Sequence, residues 1–278
     1  MKRLALLTPD PADDSLADRW KPSLARYLAL FAALRVEAVP IPWTEPLSGF
    51  DAATPLLAWG YHRQAPRWQA VLHNTSINMI NPSSVLLWNT TKTYLEGLGE
   101  AGVSVVPTQA FSAPTPADVA AAFDHFGTDT VVVKPQVSAG SHLTRRTHRG
   151  EACVPPACPV LVQPFLEAVS GEGELSLFFF GGRFSHAARK VATGGDFRIQ
   201  PQFGGAFSRF DPDDEAMDLA RATLAAAPDG IVYARVDMIR LASGALALME
   251  LEAIEPDLYL DLAPDGGAAF ADAVLEAL

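Results

Sequence analysis

Two short stretches carry most of the chemistry that the chain offers, Arg235-Val236-Asp237 and Glu250-Leu251-Glu252. Both sit in apolar runs, Val232 to Arg240 and Leu246 to Glu252, joined by Ser243-Gly244, a pattern that predicts a strand pair closed by a turn. Residues i and i+2 of a strand point to the same face. Arg235 therefore shares a face with Asp237, and Glu250 with Glu252. Where pairing brings these faces together, three carboxylates converge beside one guanidinium. Such a group repels itself strongly unless a cation sits within it. Oxygen-only ligands suit magnesium, which is held by a few carboxylates together with substrate phosphates. The competing reading is an exposed strand face decorated with acids, and the depletion of Asp and Glu in strands weighs against it.

A second constellation begins at Lys134. It ends the β-branched run Val131-Val132-Val133 and precedes the small-residue loop Val137-Ser138-Ala139-Gly140-Ser141. A lysine at the end of a buried strand is costly unless it meets an anion, and a loop of small residues lets backbone N–H groups approach phosphate oxygens. Alone this signal is weak. It is not the P-loop pattern, and no G-x-G-x-x-G fingerprint occurs. Further on, the apolar run Val160 to Leu166 leads into a polar stretch with Glu167 and Glu174. A strand end of this kind supplies an apolar slot and backbone hydrogen bonds for an adenine ring, with Glu174 as an acceptor for ribose hydroxyls.

These residues need a scaffold. At 278 residues the chain is long enough for one to three compact units. A net charge of −11 excludes a nucleic-acid partner, which requires clustered Lys and Arg. No apolar run reaches the ~20 residues of a bilayer span, and the apolar start at Leu4–Leu7, cut off by Pro9-Asp10, reads as a buried strand and not as a signal peptide. A cytoplasmic protein without a membrane partner is expected. Cys153 and Cys158 imply no disulfide framework, and with no further ligands nearby they do not make a zinc site.

The periodicity predicts strands at 3–8, 36–41 and 56–59, with helices starting at Pro22 and over 65–73. It then predicts a helix over 92–100, a strand over 103–107, a helix from Pro116, a strand at 130–133 and a loop or lid over 136–159. Strands follow at 160–164, 174–180 and 183–191, then a glycine-rich loop at 193–209 and a helix over 213–227. The strand pair and a last helix over 267–278 complete the chain. The reading is an α/β protein of three units: 1–85 with a parallel sheet, 86–162 bearing the lid, and 163–278 carrying the adenine hinge and the acids.

In this order and at these spacings, the features resemble the ATP-grasp superfamily from about Asn89 onward, some two-thirds of the chain. Lys92 resembles the family's first nucleotide-binding lysine and Lys134 the second, ahead of the loop Ser138, Ala139, Gly140 and Ser141. Gln163, Pro164, Phe165 and Leu166 match the adenine hinge, Glu174 the ribose carboxylate, and Lys190 a later phosphate-contacting lysine. Arg235 and Asp237 match the strand that holds phosphate and metal, and Glu250 and Glu252 the final metal pair. That last position is usually Asn in the family, and here it is Glu. Arg198, in Gly194-Gly195-Asp196-Phe197-Arg198-Ile199-Gln200, belongs to a segment that in related ligases covers the phosphates and substrate.

A closer resemblance rests on Asn81-Pro82, Trp88-Asn89, Lys92-Thr93-Tyr94-Leu95, Val106-Pro107-Thr108, Phe184-Ser185-His186 and Asp196-Phe197-Arg198. These are similar to a subgroup of cycloserine-forming cyclo-ligases, near glutathione synthetases and ribosomal-protein glutamate ligases. In that subgroup an Arg-containing Trp-Asp-Tyr segment follows the third strand and is a source of substrate contacts. Here Leu57-Ala58-Trp59-Gly60-Tyr61 lacks both the Arg and the Asp.

The resemblance implies ATP and two magnesium ions (manganese substituting), with Arg235, Arg198 and Lys190 as catalytic residues. It implies a small carboxylate activated as an acyl phosphate and joined to an amine, with ADP and phosphate released. A non-catalytic ATP-binding module of the same fold is the alternative, and the intact acids at 237, 250 and 252 argue against it. Glu255 and Asp257 are candidates to face the substrate. The assembly is left open, a homodimer included.

Overall fold

A computed structural model describes residues 2–16, 18–192 and 205–278. The run Leu4 to Leu7 lies in strand β1 (Arg3–Thr8), flanked on both sides by parallel partners, β2 (Glu37–Pro42) and β3 (Ala52–Thr54), with β4 (Asn78–Met79) parallel to β3. The continuous apolar run follows from burial on both faces. Leu4 and Leu6 pack with Phe31 and Phe270, whereas Ala5 and Leu7 pack with Trp43 and Trp68. Phe31 comes from α1 (Lys21–Ala33), which starts with proline in its first turn, and Trp68 from α2 (Ala65–Asn74). Each fully buried aromatic or leucine side chain contributes about 1.5–3 kcal/mol.

The third strand lies earlier than its apolar signature suggested. Pro55 has no amide hydrogen to donate and ends β3, and Leu56, Leu57 and Ala58 are buried in the turn that follows. Burial of this turn mimics the composition of a strand. Gly60, with φ of 90°, then redirects the chain into a 3-10 turn over Tyr61–Gln64.

A helix that the periodicity did not reveal, α3 (Ser83–Thr90), follows Pro82, and α4 (Tyr94–Glu100) begins two residues later than expected. Two buried asparagines stitch this region to the C-terminal sheet. Asn81 Nδ2 donates to the carbonyls of Tyr233 (2.9 Å) and Ala253 (2.8 Å). Asn89 Nδ2 donates to Leu251 O at 2.8 Å, and its Oδ1 accepts from Ala253 N at 2.9 Å. The Asn-Pro and Trp-Asn motifs thus satisfy buried backbone groups. Residues 103–107 form no strand; Val105 makes a single parallel bridge to Leu248.

The central sheet has the order β5-β8-β6-β7, built from β5 (Gln109–Phe111), β6 (Thr130–Pro135), β7 (Arg145–His148) and β8 (Val160–Pro164), antiparallel throughout. β7 falls inside the stretch read as loop. Its Arg145, Arg146 and His148 are exposed and only Thr147 is buried, so the segment has the charged surface of an edge strand and no apolar stripe. Helix α5 (Pro116–Phe126) is fixed by a Thr115–Asp118 capping box and covers the sheet with Val119, Ala122 and Phe123.

The C-terminal sheet has the order β11-β10-β9-β12-β13: β9 (Glu174–Phe180), β10 (Arg183–Val191), β11 (Ala206–Arg209), β12 (Tyr233–Arg240) and β13 (Leu246–Glu252). β11 occupies the end of the expected 193–209 loop. One face packs on α4 and α6 (Asp214–Ala226) through Leu177, Phe179 and Val236. The other packs on α7 (Ala268–Ala277) through Phe178, Phe180 and Tyr233 around Phe270. Among the described residues no helix is long and apolar enough to cross a membrane.

Candidate functional site

A cleft of about 1060 Å³ is lined by residues of the central and C-terminal sheets and by the turn at 59–63 that follows β3. Its floor is the β12–β13 pair, whose register sets Arg235 opposite Glu252 and Asp237 opposite Glu250, with a bulge immediately after Asp237. The predicted convergence therefore occurs, and it places acids directly across from one another, which is unfavourable without a compensating charge.

Cationic side chains supply that charge. Arg235 Nε lies 3.0 Å from both carboxylate oxygens of Asp237, and its Nη2 lies 2.8 Å from Oδ2. The same Nη2 donates to Glu252, and Nη1 donates to the carbonyl of Asp257 at 3.2 Å. Lys190 pairs with Glu174 and lies 3.3 Å from Asp237 Oδ1, and Ser176 donates to the same oxygen. Lys92 Nζ lies 3.1 Å from Glu250 Oε1 and also donates to the carbonyl of Ser138. Lys134 lines the cleft, half-buried, and among the described residues it makes no ion pair.

The electrostatics follow from this packing. Burial pushes the Asp237 carboxyl up, but Arg235 and Lys190 overcome it and hold the group below the usual carboxylate range. Burial raises Glu252 to about 8 and Glu174 to about 7, against the pull of Arg235 on the first and of Lys190 on the second. Burial also lowers the Lys134 ammonium, partly offset by Glu250. A buried lysine without a carboxylate partner is disposed toward an anionic ligand.

The loop 138–141 borders the same cleft. Gly140, Ser141 and Leu143 adopt φ of 59°, 58° and 56°. The left-handed conformation costs a non-glycine residue about 1–3 kcal/mol, so this loop holds strain beside the lysines. Gln163, Pro164, Phe165 and Leu166 form one wall. Phe165 and Leu166 pack with Val106, Val169, Ile239 and Met249 into an apolar slot, and Gln163 is anchored by donating to Thr108 Oγ1 at 2.8 Å. The slot and the cationic cluster lie in one cleft.

The nucleotide- and metal-site candidates singled out in the sequence, Arg198 apart, thus line one cleft. Arg198 and Gln200 lie outside the described residues. His186 is buried, stacked on Phe178 at 4.3 Å, and bonded to Leu258 O, a structural role. Cys153 and Cys158 are free thiols. Among the described residues no three His, Cys, Asp or Glu side chains stand close enough to ligate one ion, because each acid is turned toward a cation. His62 and Arg63 also line the cleft, as do Leu16 and Arg19. Sequence patterning did not single these out; the only signal was the neighbouring Trp59-Gly60-Tyr61.

No family model matches the chain. It is 30% identical over 255 residues to the cycloserine biosynthesis protein DcsG of Streptomyces lavendulae, covering 83% of this chain and 84% of that protein. The crystal structure of D-cycloserine synthetase DcsG superposes with a TM-score of 0.86 at 26% identity, covering 99% of both chains. A D-alanine–D-alanine ligase from Bacillus anthracis, solved in complex with ATP, shares the fold with a TM-score of 0.70 at 17% identity, covering 100% of this chain and 97% of that one. A strand pair bearing Arg235, Asp237, Glu250 and Glu252, an apolar slot and a lysine-lined loop share one cleft, and similarity to DcsG spans that whole arrangement; the chain belongs to the ATP-grasp ligases, enzymes that form amide bonds at the expense of ATP.

Proposed function

We propose that this ligase activates a small carboxylate as an acyl phosphate, with ATP lying across the cleft. The observation that carries the reading is the joining of an apolar slot, at Phe165 and Leu166, to a cluster of cations and acids ending in Lys134. Adenine takes the slot, Glu174 faces the ribose, and the phosphates extend toward Lys92, Lys134 and the loop 138–141. The oxygen-only donors Asp237, Glu250 and Glu252 suit magnesium, and they would hold it once their contacts to Arg235, Lys190 and Lys92 are exchanged for phosphate contacts. Bound magnesium would neutralise charge on the β- and γ-phosphates. Units 1–85, 86–162 and 163–278, working in the cytoplasm, complete this reading.

In the reaction, a carboxylate oxygen of the substrate attacks the γ-phosphorus, and the bond to the ADP oxygen breaks. Lys134, Lys190 and Arg235 stabilise the charge on the transferred group. The nitrogen of the second reactant then attacks the acyl carbon, the carbon–oxygen bond breaks, and phosphate leaves with the electron pair. No protein nucleophile takes part.

The test is isotopic. A substrate carrying heavy oxygen in its carboxylate must pass one labelled atom to inorganic phosphate, with ADP as the other product. Release of AMP and pyrophosphate would overturn the reading, because it requires an adenylate.

A further inference from the structure

Among the described residues the Arg235 guanidinium is held in two ways. The carboxylates of Asp237 and Glu252 take its Nε and Nη2. The carbonyl of Asp257 takes Nη1 at 3.2 Å, and the ring of Tyr259 meets the group as a cation–π partner, 5.9 Å from the guanidinium carbon to the ring centroid. As proposed above, the two carboxylates turn to magnesium when nucleotide binds. The Asp257 carbonyl and the Tyr259 ring are then the contacts left to the arginine, and both leave Nε and Nη2 open to phosphate oxygens.

Tyr259 is held in a strained conformation. Its φ is 41°, in the left-handed region that a bulky residue rarely adopts. Its neighbours enforce the strain. Leu258 and Leu260 are buried in the core around Phe270. The carbonyl of Leu258 is bonded to His186 Nε2 at 3.0 Å, and Leu262 N donates to the carbonyl of Tyr259 at 2.8 Å. One short segment thereby presents a carbonyl to an edge of the guanidinium and a ring to the same group.

The ring is fixed as well. It packs edge-on against Phe178 of β9 at 5.8 Å and tilted against Phe207 of β11 at 5.1 Å. The phenol stays uncharged, because burial raises it to about 12 against the pull of Lys190 and Arg235. Tyr259 therefore attracts Arg235 through its π system and not as a counter-anion. A neutral ring, unlike Asp237 or Glu252, does not compete for a divalent ion.

We propose that Tyr259 is a positioning residue that keeps Arg235 aimed at the terminal phosphate once magnesium has drawn Asp237 and Glu252 away. The inference rests on the ligase reading and deepens it: an aromatic ring, and not an acid, steadies the arginine during phosphoryl transfer. Tyr259 acts through Arg235 and takes no part in bond making.

The experiment uses the full-length protein, with ADP and the non-hydrolysable β,γ-imido analogue of ATP as probes. Calorimetry gives both affinities, once in magnesium and once in EDTA. In magnesium the wild type should prefer the triphosphate. Tyr259→Leu and Tyr259→Met should each reduce that preference about tenfold while moving ADP affinity less than about twofold, as loss of a desolvated cation–π contact requires. Tyr259→Phe, which keeps the ring, should retain the preference. In EDTA, where the acids still hold Arg235, the variants should match the wild type. In an Arg235→Lys background, without the planar fork, Tyr259→Leu should have no further effect. The Leu, Met and Phe comparison stands by itself if Arg235→Lys does not fold.

A ring with only a structural role would weaken ADP and the analogue alike, in magnesium and in EDTA, and that outcome overturns the proposal. So does a wild-type preference in both Tyr259→Leu and Tyr259→Met, or a loss of equal size in Tyr259→Phe. Each of these leaves the ligase reading intact. A wild type that binds neither nucleotide in magnesium overturns both. A wild type that binds both equally overturns the proposal alone, and the isotopic test then decides the ligase reading.

Discussion

Lys92, just ahead of α4, and Glu250, on β13, meet at 3.1 Å, and the same lysine donates to the carbonyl of Ser138 in the loop after β6. One ammonium thereby connects the small-residue loop of the central sheet to the acids of the C-terminal sheet. A ligand that takes Glu250 must part it from the lysine that also holds the loop.

The acids give the first prediction. Asp237→Asn and Glu250→Gln should each lower magnesium-dependent turnover by on the order of 100-fold or more, since even supporting partners of metal ligands are worth ~10–100-fold. Their stability costs should differ. Asp237→Asn leaves Arg235 and Lys190 short of a buried partner and should cost about 3–5 kcal/mol; Glu250 is 25% exposed, so Glu250→Gln should cost much less. Phosphate release and urea unfolding measure the two effects, and wild-type rates in either variant would remove the proposed metal site.

A second prediction concerns pH in the absence of nucleotide. Glu252 is raised from 4.5 to about 8 and Glu174 from 4.5 to about 7, in both cases chiefly by burial. His62, His142 and His186, lowered by burial from 6.5, act in the opposite sense below about 6.5; above it the raised acids make the folded state bind more protons than the unfolded state, so stability falls as pH rises from about 6.5 to about 8. The Asp237 shift has the opposite sign but acts only as pH falls below its ordinary value of 3.8. Thermal unfolding at constant ionic strength should give a lower Tm at pH 8 than at pH 6.5. Glu252→Gln should flatten that slope, and a Tm that rises over this interval contradicts the electrostatics described.

The loop after β6 provides a third. Leu143 is 43% exposed and held at positive φ, a ready chymotrypsin site. With ATP and magnesium at about ten times the nucleotide Kd, cleavage after Leu143 should slow about tenfold, in proportion to the remaining free protein. Unchanged cleavage at saturation means that the loop is not a phosphate cover.

Gly60 supplies the fourth. Its φ is 90°, and an added Cβ would come within 2.5 Å of Asp13 Oδ2. Gly60→Ala should therefore cost about 1–3 kcal/mol and displace Tyr61 and His62. Urea unfolding reads the first effect. The second should appear as a higher KM for the carboxylate substrate, with a smaller change for ATP.

Much of this was legible in the sequence because strand periodicity is short and strict. The i, i+2 rule alone puts Arg235 with Asp237 and Glu250 with Glu252, and it survives a bulge placed just beyond Asp237. Reading failed where burial and periodicity part company. Leu56 to Ala58 are as apolar as a strand but fill a turn, while β3 hides in three small residues, Ala52–Thr54. Helix α3 has no polar face to betray it, since it buries Val85, Leu86, Asn89 and Thr90 between other elements. β7 is an edge strand whose arginines read as loop.

The register of β12 and β13 sets Arg235, Asp237, Glu250 and Glu252 on the floor of the cleft, where Glu174, Lys92, Lys134 and Lys190 join them from other elements. With every group ionised, the four acids balance the four bases, and Glu252 supplies the fourth negative charge. A triphosphate entering alone would destroy that neutrality, whereas one entering with its own divalent ions exchanges charge for charge. On the proposed function, nucleotide uptake is an ion-exchange equilibrium, and its affinity is expected to track the concentration of free divalent cation as well as that of the nucleotide.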